Sequence, residues 1–118
     1  MKNFFASFKY AFAGIISVLK NERNFKVQLI AAFLVLLAAL VLKVDTIEWT
    51  ILILCMVLVL SLEMINTAIE KICNFLHPDE HPKIKIIKDV AAGAVLLASI
   101  ATAIIGGIIL LPKLLLLL

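Results

Sequence analysis

The sequence predicts an all-α membrane protein, with an amphipathic helix at the interface followed by three transmembrane helices. Three observations carry that expectation. Hydrophobic residues make up 64% of the 118 positions, and the mean hydropathy of +1.19 lies far outside the soluble range. Three stretches, at about 25–42, 49–70 and 90–111, have the roughly 20 mostly apolar residues that a spanning helix needs. The basic residues are also unevenly placed. Lys2, Lys9, Lys20, Arg23 and Lys26 precede the first stretch, and Lys71, Lys83, Lys85 and Lys88 lie between the second and third. Only Lys43 and Lys113 remain for the other side.

The elements follow in chain order within a single unit, residues 1–118. Residues 3–20 place Phe4, Phe5, Phe8, Phe12, Ile15, Ile16 and Leu19 within an arc of roughly 120° on a helical wheel. Lys2, Lys9 and Lys20 border that arc, and Asn3, Tyr10 and Ser17 lie opposite. This is the pattern of a helix lying in the headgroup region, or of one roofing the rest of the protein. No signal peptide is read, because this segment lacks an unbroken apolar core with a small-residue cleavage site. Asn21-Glu22-Arg23-Asn24 is a polar break before the first span. Lys43–Glu48 reads as a tight outer loop, with Trp49 as an interfacial anchor. The loop His77–Pro82 contains two prolines that end the second helix. Its prolines argue against helical i,i+4 metal ligation by His77 and His81. In the third span, Ala94, Ala98, Thr102 and Gly106 form one row of small residues, and Ser99, Ala103 and Gly107 a second. Such rows suit close helix packing in lipid. Cys55 and Cys73 show no metal or disulfide spacing and read as packed apolar filler.

The most informative single residue is Glu63. It is the only charge between Trp49 and Ile69, and an acid within a span marks a functional site by default. Asn66, Thr67, Glu70 and Asn74 follow it on one helical face, all five within an arc of roughly 100°. A membrane boundary alone would not select one face. Three spans enclose little, so the stripe is expected to face a neighbouring copy, which predicts a homo-oligomer.

At the cytoplasmic level the polar groups are Glu22, Glu63, Asn66, Glu70, Lys88 and Asp89. Hard carboxylate oxygens suit Mg²⁺, which shares its shell with substrate phosphates, and a lysine adds a point charge for phosphate. Glu63, set deepest, suits a general base for a hydroxyl at the interface. The combination points to phosphoryl transfer onto a lipid alcohol. Neither a Walker-type nor a kinase glycine loop is present, nor is a nucleic-acid module; the excess of three positive charges reads as topological. A proton-coupled transporter or a small non-enzymatic membrane subunit remains the alternative.

The residues also carry a resemblance. Glu63-Met64-Ile65-Asn66-Thr67-Ala68-Ile69-Glu70 resembles the E-x-x-N-[ST]-A-I-E signature of the prokaryotic diacylglycerol kinase family. Lys88-Asp89-Val90-Ala91-Ala92-Gly93-Ala94-Val95 is similar to its second block, and Asn21–Phe25 to the segment before the first span. Ser7-Phe8, Ala11 and Gly14 fit its surface helix, so the resemblance runs from about Phe4 to Leu111.

The resemblance implies a homotrimeric lipid kinase of the bacterial cytoplasmic membrane, using ATP and Mg²⁺ at sites on the cytoplasmic surface. It implies Glu63 as general base supported by Asn66. Glu22 and Glu70 would hold metal with ATP, Lys88 and Asp89 would meet the nucleotide, and Tyr10 would lie near it. Gln28 stands near the expected lipid entrance, where other members carry Glu or His. Asn74 replaces a common Asp, which removes a charge. The segments ERNFK and KDVAAGAV look closer to the undecaprenol branch than to the diacylglycerol branch.

Nine of the 11 basic residues on one side predict a cytoplasmic N-terminus and second loop, with the C-terminus outside. In a background lacking Cys55 and Cys73, Glu80→Cys should resist impermeant thiol reagents in intact cells. Leu115→Cys should label. The opposite pattern would invert the topology.

Overall fold

The computed structural model describes residues 3–118. Lys2, placed at the border of the apolar arc, lies outside the described residues. Four helices follow one another: α1 (Phe4–Asn21), α2 (Arg23–Val41), α3 (Thr46–Leu76) and α4 (Pro82–Leu117). The last three are long and apolar enough to cross a membrane.

Local chemistry sets each boundary. The Asn3 side chain caps α1 by accepting from the Ala6 N–H at 2.8 Å. The polar break expected over four residues narrows to one. Glu22 alone leaves helical geometry (φ −109°, ψ 112°), ending α1 and starting α2. Its N–H donates to Val18 O at 2.9 Å and its carbonyl accepts from Lys26 N at 3.2 Å. At the far end of α2, Lys43 turns through positive φ (55°). Asp45 and Glu48 then form a reciprocal capping box that launches α3. Between α3 and α4, His77 Nδ1 donates to the Asp79 carbonyl. His81 caps α4 by accepting from Lys83 N, and Pro82 occupies the first turn, where its missing N–H costs nothing. Lys83, Lys85 and Lys88 therefore belong to the first turns of α4, not to the loop.

Helix lengths position the site. At 1.5 Å per residue, the 19 residues of α2 reach about 28 Å, close to the hydrocarbon thickness. The 31 residues of α3 reach about 46 Å. Its surplus turns, which carry Glu70 and Asn74, extend past the apolar run. The α4 helix continues through Pro112 to Leu117.

The α3 helix is central, packing most extensively on α4, less on α2, and touching α1; α2 and α4 meet little. Near the α2–α3 turn, Ala39, Val44, Leu52 and Ile109 form a buried cluster, with Ala39 and Leu52 fully enclosed. Trp49, expected as an interfacial anchor, packs against this cluster. There too, Lys113 Nζ pairs with Glu48 Oε1 at 3.1 Å, tying α4 to the start of α3. One sequence argument needs correction. Glu63, Asn66 and Thr67 are buried within a single protomer, so their concealment does not require a neighbouring copy. Within one protomer the small residues of α4 do not bring backbones together. A Cβ added at Gly106 or Gly107 would meet nothing within 4 Å, and of the two rows only Ala98 is buried.

Ala39→Leu forces extra volume into the filled cluster and should destabilise the fold by about 1–3 kcal/mol. Leu37, exposed on the same helix, should tolerate Ala with little change. Denaturing-detergent titrations of both variants check this; equal behaviour would contradict the packing.

Candidate active site

The site is built on one face of α3. Glu63, Asn66 and Thr67 are 4%, 6% and 5% exposed, in a helix whose other faces present Ile53, Leu54, Val57, Leu58 and Ile65 outward. The polar groups are inside and the hydrocarbon outside, as lipid requires. One turn further, Asn66 Nδ2 donates to Glu70 Oε1 at 2.8 Å. That bond fixes the amide orientation and turns Asn66 Oδ1 inward, where it is buried without a donor. The Glu70 and Glu22 carboxylates both lie close enough to Glu63 to act on it electrostatically. The one-residue break between α1 and α2 thus brings a third acid within electrostatic reach of Glu63.

A chamber of about 240 Å³ opens at Glu63 and Asn66. The α2 helix contributes Asn24 and Gln28 to its wall, and α4 contributes Val95 and Ser99. Gln28 Oε1 is a second buried carbonyl oxygen without a donor. Both oxygens are closed off from solvent behind the chamber wall, and the Glu63 side chain lies in that wall.

A second cavity, of about 270 Å³, lies at the α3–α4 turn and includes Asn74, His77, His81, Lys85, Lys88 and Asp89 in its wall. Lys88 Nζ donates to Asn74 Oδ1 at 2.9 Å, joining α4 to the end of α3. Lys85 Nζ pairs with Asp89 Oδ2 at 2.6 Å across one exposed turn. Lys88 therefore has a neutral partner and keeps its charge uncompensated, whereas Asp89 is neutralised by its neighbour.

The residues singled out from the sequence fall into two groups. Glu63, Asn66 and Gln28 share the chamber, with Glu70 bonded to Asn66 and Glu22 within electrostatic reach. Lys88 and Asp89 share the second cavity. The spacing Asn66, Glu70, Asn74 links the groups along α3, one turn at a time. Tyr10 is exposed on α1 and lines neither cavity. Sequence reasoning missed Asn24, Ser99 and Lys85, and left Asn74 without work. Only Asn74 had a signal, its place on the Glu63 face.

Among the described residues, no three His, Cys, Asp or Glu side chains converge on a metal position. Mg²⁺ is usually held by one or two carboxylates together with phosphates and water. Glu22 and Glu70 carry the hard carboxylate oxygens that such a site would draw on.

An all-helical fold with three candidate spans, a buried carboxylate and, three turns along the same helix, a lysine-lined cavity defines a class: an integral-membrane protein with a buried acid and a basic cavity on one helix face. The chain belongs to the prokaryotic diacylglycerol kinase family, which it matches over residues 9–110. It is 42% identical over 114 residues to the diacylglycerol kinase of Synechocystis sp., an alignment covering 96% of this chain and 65% of that protein. It is 40% identical over 114 residues to the undecaprenol kinase of Bacillus subtilis, covering 97% of this chain and 93% of the relative. To the diacylglycerol kinase of Escherichia coli it is 32% identical over 95 residues, 80% of this chain and 78% of the relative. These relatives are lipid kinases.

Asn74→Ala removes the acceptor that holds Lys88. The bond is solvent-exposed, where such a contact is worth about 1 kcal/mol or less, so the KM for a nucleotide bound at Lys88 should rise by up to about fivefold. The KM for the lipid should stay within about twofold. Equal rises in both would show that Asn74 merely holds α3 against α4.

Proposed function

We propose that this protein transfers the γ-phosphate of ATP to the hydroxyl of a membrane lipid alcohol, with undecaprenol favoured over diacylglycerol. The observation that carries this reading is the chamber at Glu63, where a buried carboxylate borders a cavity whose wall also holds Asn24, Gln28, Asn66 and Ser99. The lipid presents its hydroxyl there while its hydrocarbon remains in the apolar region. Glu63 accepts the hydroxyl proton as the oxygen attacks phosphorus. The P–O bond to ADP breaks, and the products are a lipid phosphomonoester, ADP and one proton. Asn66 keeps Glu70 in place through its 2.8 Å bond.

Phosphoryl transfer needs positioning and charge stabilisation more than covalent help from the protein. Lys88 supplies a point charge to the triphosphate, and Asp89 lies beside it on the nucleotide side. Glu22 and Glu70 are the residues that would hold Mg²⁺, which neutralises phosphate charge when bound with ATP. Tyr10 approaches the nucleotide only from the exposed face of α1. The functional unit is a homotrimer in the bacterial cytoplasmic membrane, with α1 at the cytoplasmic interface and its exposed phenylalanines in lipid. Support for undecaprenol comes from the ERNFK and KDVAAGAV segments; a transporter would need free acids on both halves of the spans. At the outer end, Asp45 and Glu48 are occupied by the capping box and the Lys113 pair.

Phosphate transfer from radiolabelled ATP onto each lipid in mixed micelles tests the reading. Glu63→Gln keeps the side chain's shape but cannot take the proton, so turnover should fall about 100-fold or more while the protein still assembles. Near-wild-type turnover in that variant would remove Glu63 from the chemistry.

A further inference from the structure

The two histidines of the α3–α4 turn are hydrogen-bonded in opposite senses. His77 closes α3 and His81 opens α4, with their ring centroids 5.0 Å apart and the ring planes at 65°. His77 Nδ1 lies 2.8 Å from the Asp79 carbonyl oxygen, which can only accept, so this Nδ1 carries a proton. His81 Nδ1 lies 3.1 Å from the Lys83 backbone nitrogen, which can only donate, so this Nδ1 is bare and the ring proton sits on Nε2. With its proton there, His81 has no lone pair to share with His77 for a metal. The difference decides what a second proton does to each ring. His77 keeps its bond as an imidazolium, because Nδ1 remains a donor, and it stands at a helix C-terminus, the end that suits a cation. His81 loses its bond, because both nitrogens of an imidazolium are donors, and it stands at a helix N-terminus, where a cation is opposed.

The bond at stake holds the start of α4. Pro82 has no N–H, and Lys85 N already reaches the His81 carbonyl at 2.9 Å. Lys83 and Ile84 are then the first-turn donors without an acceptor inside the helix, and His81 satisfies Lys83. The same stretch carries Lys85, paired with Asp89 at 2.6 Å, and leads to Lys88, bonded to Asn74 at 2.9 Å. His77, His81, Ile84 and Lys88 are half-buried, and all four line the cavity of about 270 Å³. The titratable groups sharing that wall with His81 are His77, Asp79 and Glu80 from the turn and Lys85, Lys88 and Asp89 from α4. The α3 helix adds the neutral Asn74, and α1 and α2 add nothing. Asp79 and Glu80 are exposed, where water and salt screen their charge, so the change in hydrogen bonding dominates.

We propose that His81 is a proton-operated latch on α4. Neutral, it caps the helix and holds the wall of the basic cavity. Protonated, it releases the first turn and with it the positions of Lys85 and Lys88. The latch works across the range in which imidazoles change charge, roughly pH 5–8. Its sign is set by the acceptor role of Nδ1: the cap is present at the alkaline end and is lost as the pH falls. The effect on a nucleotide at Lys88 rests on the kinase reading above, whereas the latch itself does not.

The test compares the full-length, isotopically labelled protein in micelles with His81→Asn, since Asn caps helices well and takes up no proton in this range. At about pH 8, side-chain nitrogen shifts should report the Nδ1–H tautomer for His77 and the Nε2–H tautomer for His81. On acidification to about pH 5, the backbone carbon shifts of residues 83–86 should move toward coil values in the wild type and stay helical in His81→Asn. His81→Ser, a second capping residue, should behave like the Asn variant, and His77→Asn should keep the wild-type response. Over the same range the KM for ATP should rise about threefold more in the wild type than in His81→Asn; protonation of ATP itself is common to both. The same tautomer on both rings, or an equal response of residues 83–86 in wild type and both capping variants, would overturn the latch. Equal KM profiles would overturn its coupling to the nucleotide. If no phosphate is transferred at all, the kinase reading fails, and the shifts of residues 83–86 still decide the latch.

Discussion

The structure is organised around the burial of one carboxylate within an apolar helix. Placing an acid in a span costs about 3 kcal/mol or more, and Glu63 is buried, with Asn66 and Thr67 beside it. Most large hydrophobic side chains of the spans point the other way and are exposed. The molecule is thus apolar outside and polar at one point inside. Packing of α2 and α4 on either side of α3 is what makes this possible, since α3 alone would expose the stripe to lipid. The small contact between α2 and α4 leaves the Glu63 chamber open instead of closing over it.

The length of α3 does the rest. A helix of 31 residues carries the polar face from the apolar region out to the α3–α4 turn without a break in register. Asn66 bonds Glu70 within the helix, and one turn on, Asn74 bonds Lys88 of α4. The deep acid and Lys88 are therefore placed by the same rigid element. At the other end of α3, the Glu48–Lys113 pair ties down α4 a second time. Two polar ties near opposite ends of an otherwise apolar interface fix the register of α4. Dispersion between aliphatic side chains would do so weakly, because lipid competes for the same contacts.

Much of this was legible in the residues. Glu63 stood out as the one charge between Trp49 and Ile69, and the 3.6-residue period put Asn66, Glu70 and Asn74 beside it before any coordinates. The break at Glu22 and the proline-flanked turn at His77–Pro82 were readable because glutamate, asparagine and proline interrupt apolar periodicity. What was not legible depends on how helices lean against one another. Ser99 looked like a packing residue, since nothing in the sequence says that α2 and α4 diverge around it. Gly106 and Gly107 looked like a close-approach motif, and within one protomer no atom stands within 4 Å of a Cβ built on either. Asn74 looked like a lost charge, and its partner lies 14 residues away on another helix. Burial of Glu63 was expected from a second copy because composition does not reveal how much surface three tilted helices conceal.

The central claim is that Glu63 meets the acceptor lipid's hydroxyl inside the chamber. Covalent modification of the Glu63 carboxyl by a hydrophobic carbodiimide, followed by mass spectrometry, tests this most directly. Without ligands the residue should react, because the chamber is open to lipid. Added lipid alcohol should protect it strongly, and ATP alone should protect it little. Protection by ATP alone, or reaction undiminished by saturating lipid alcohol, would contradict the account.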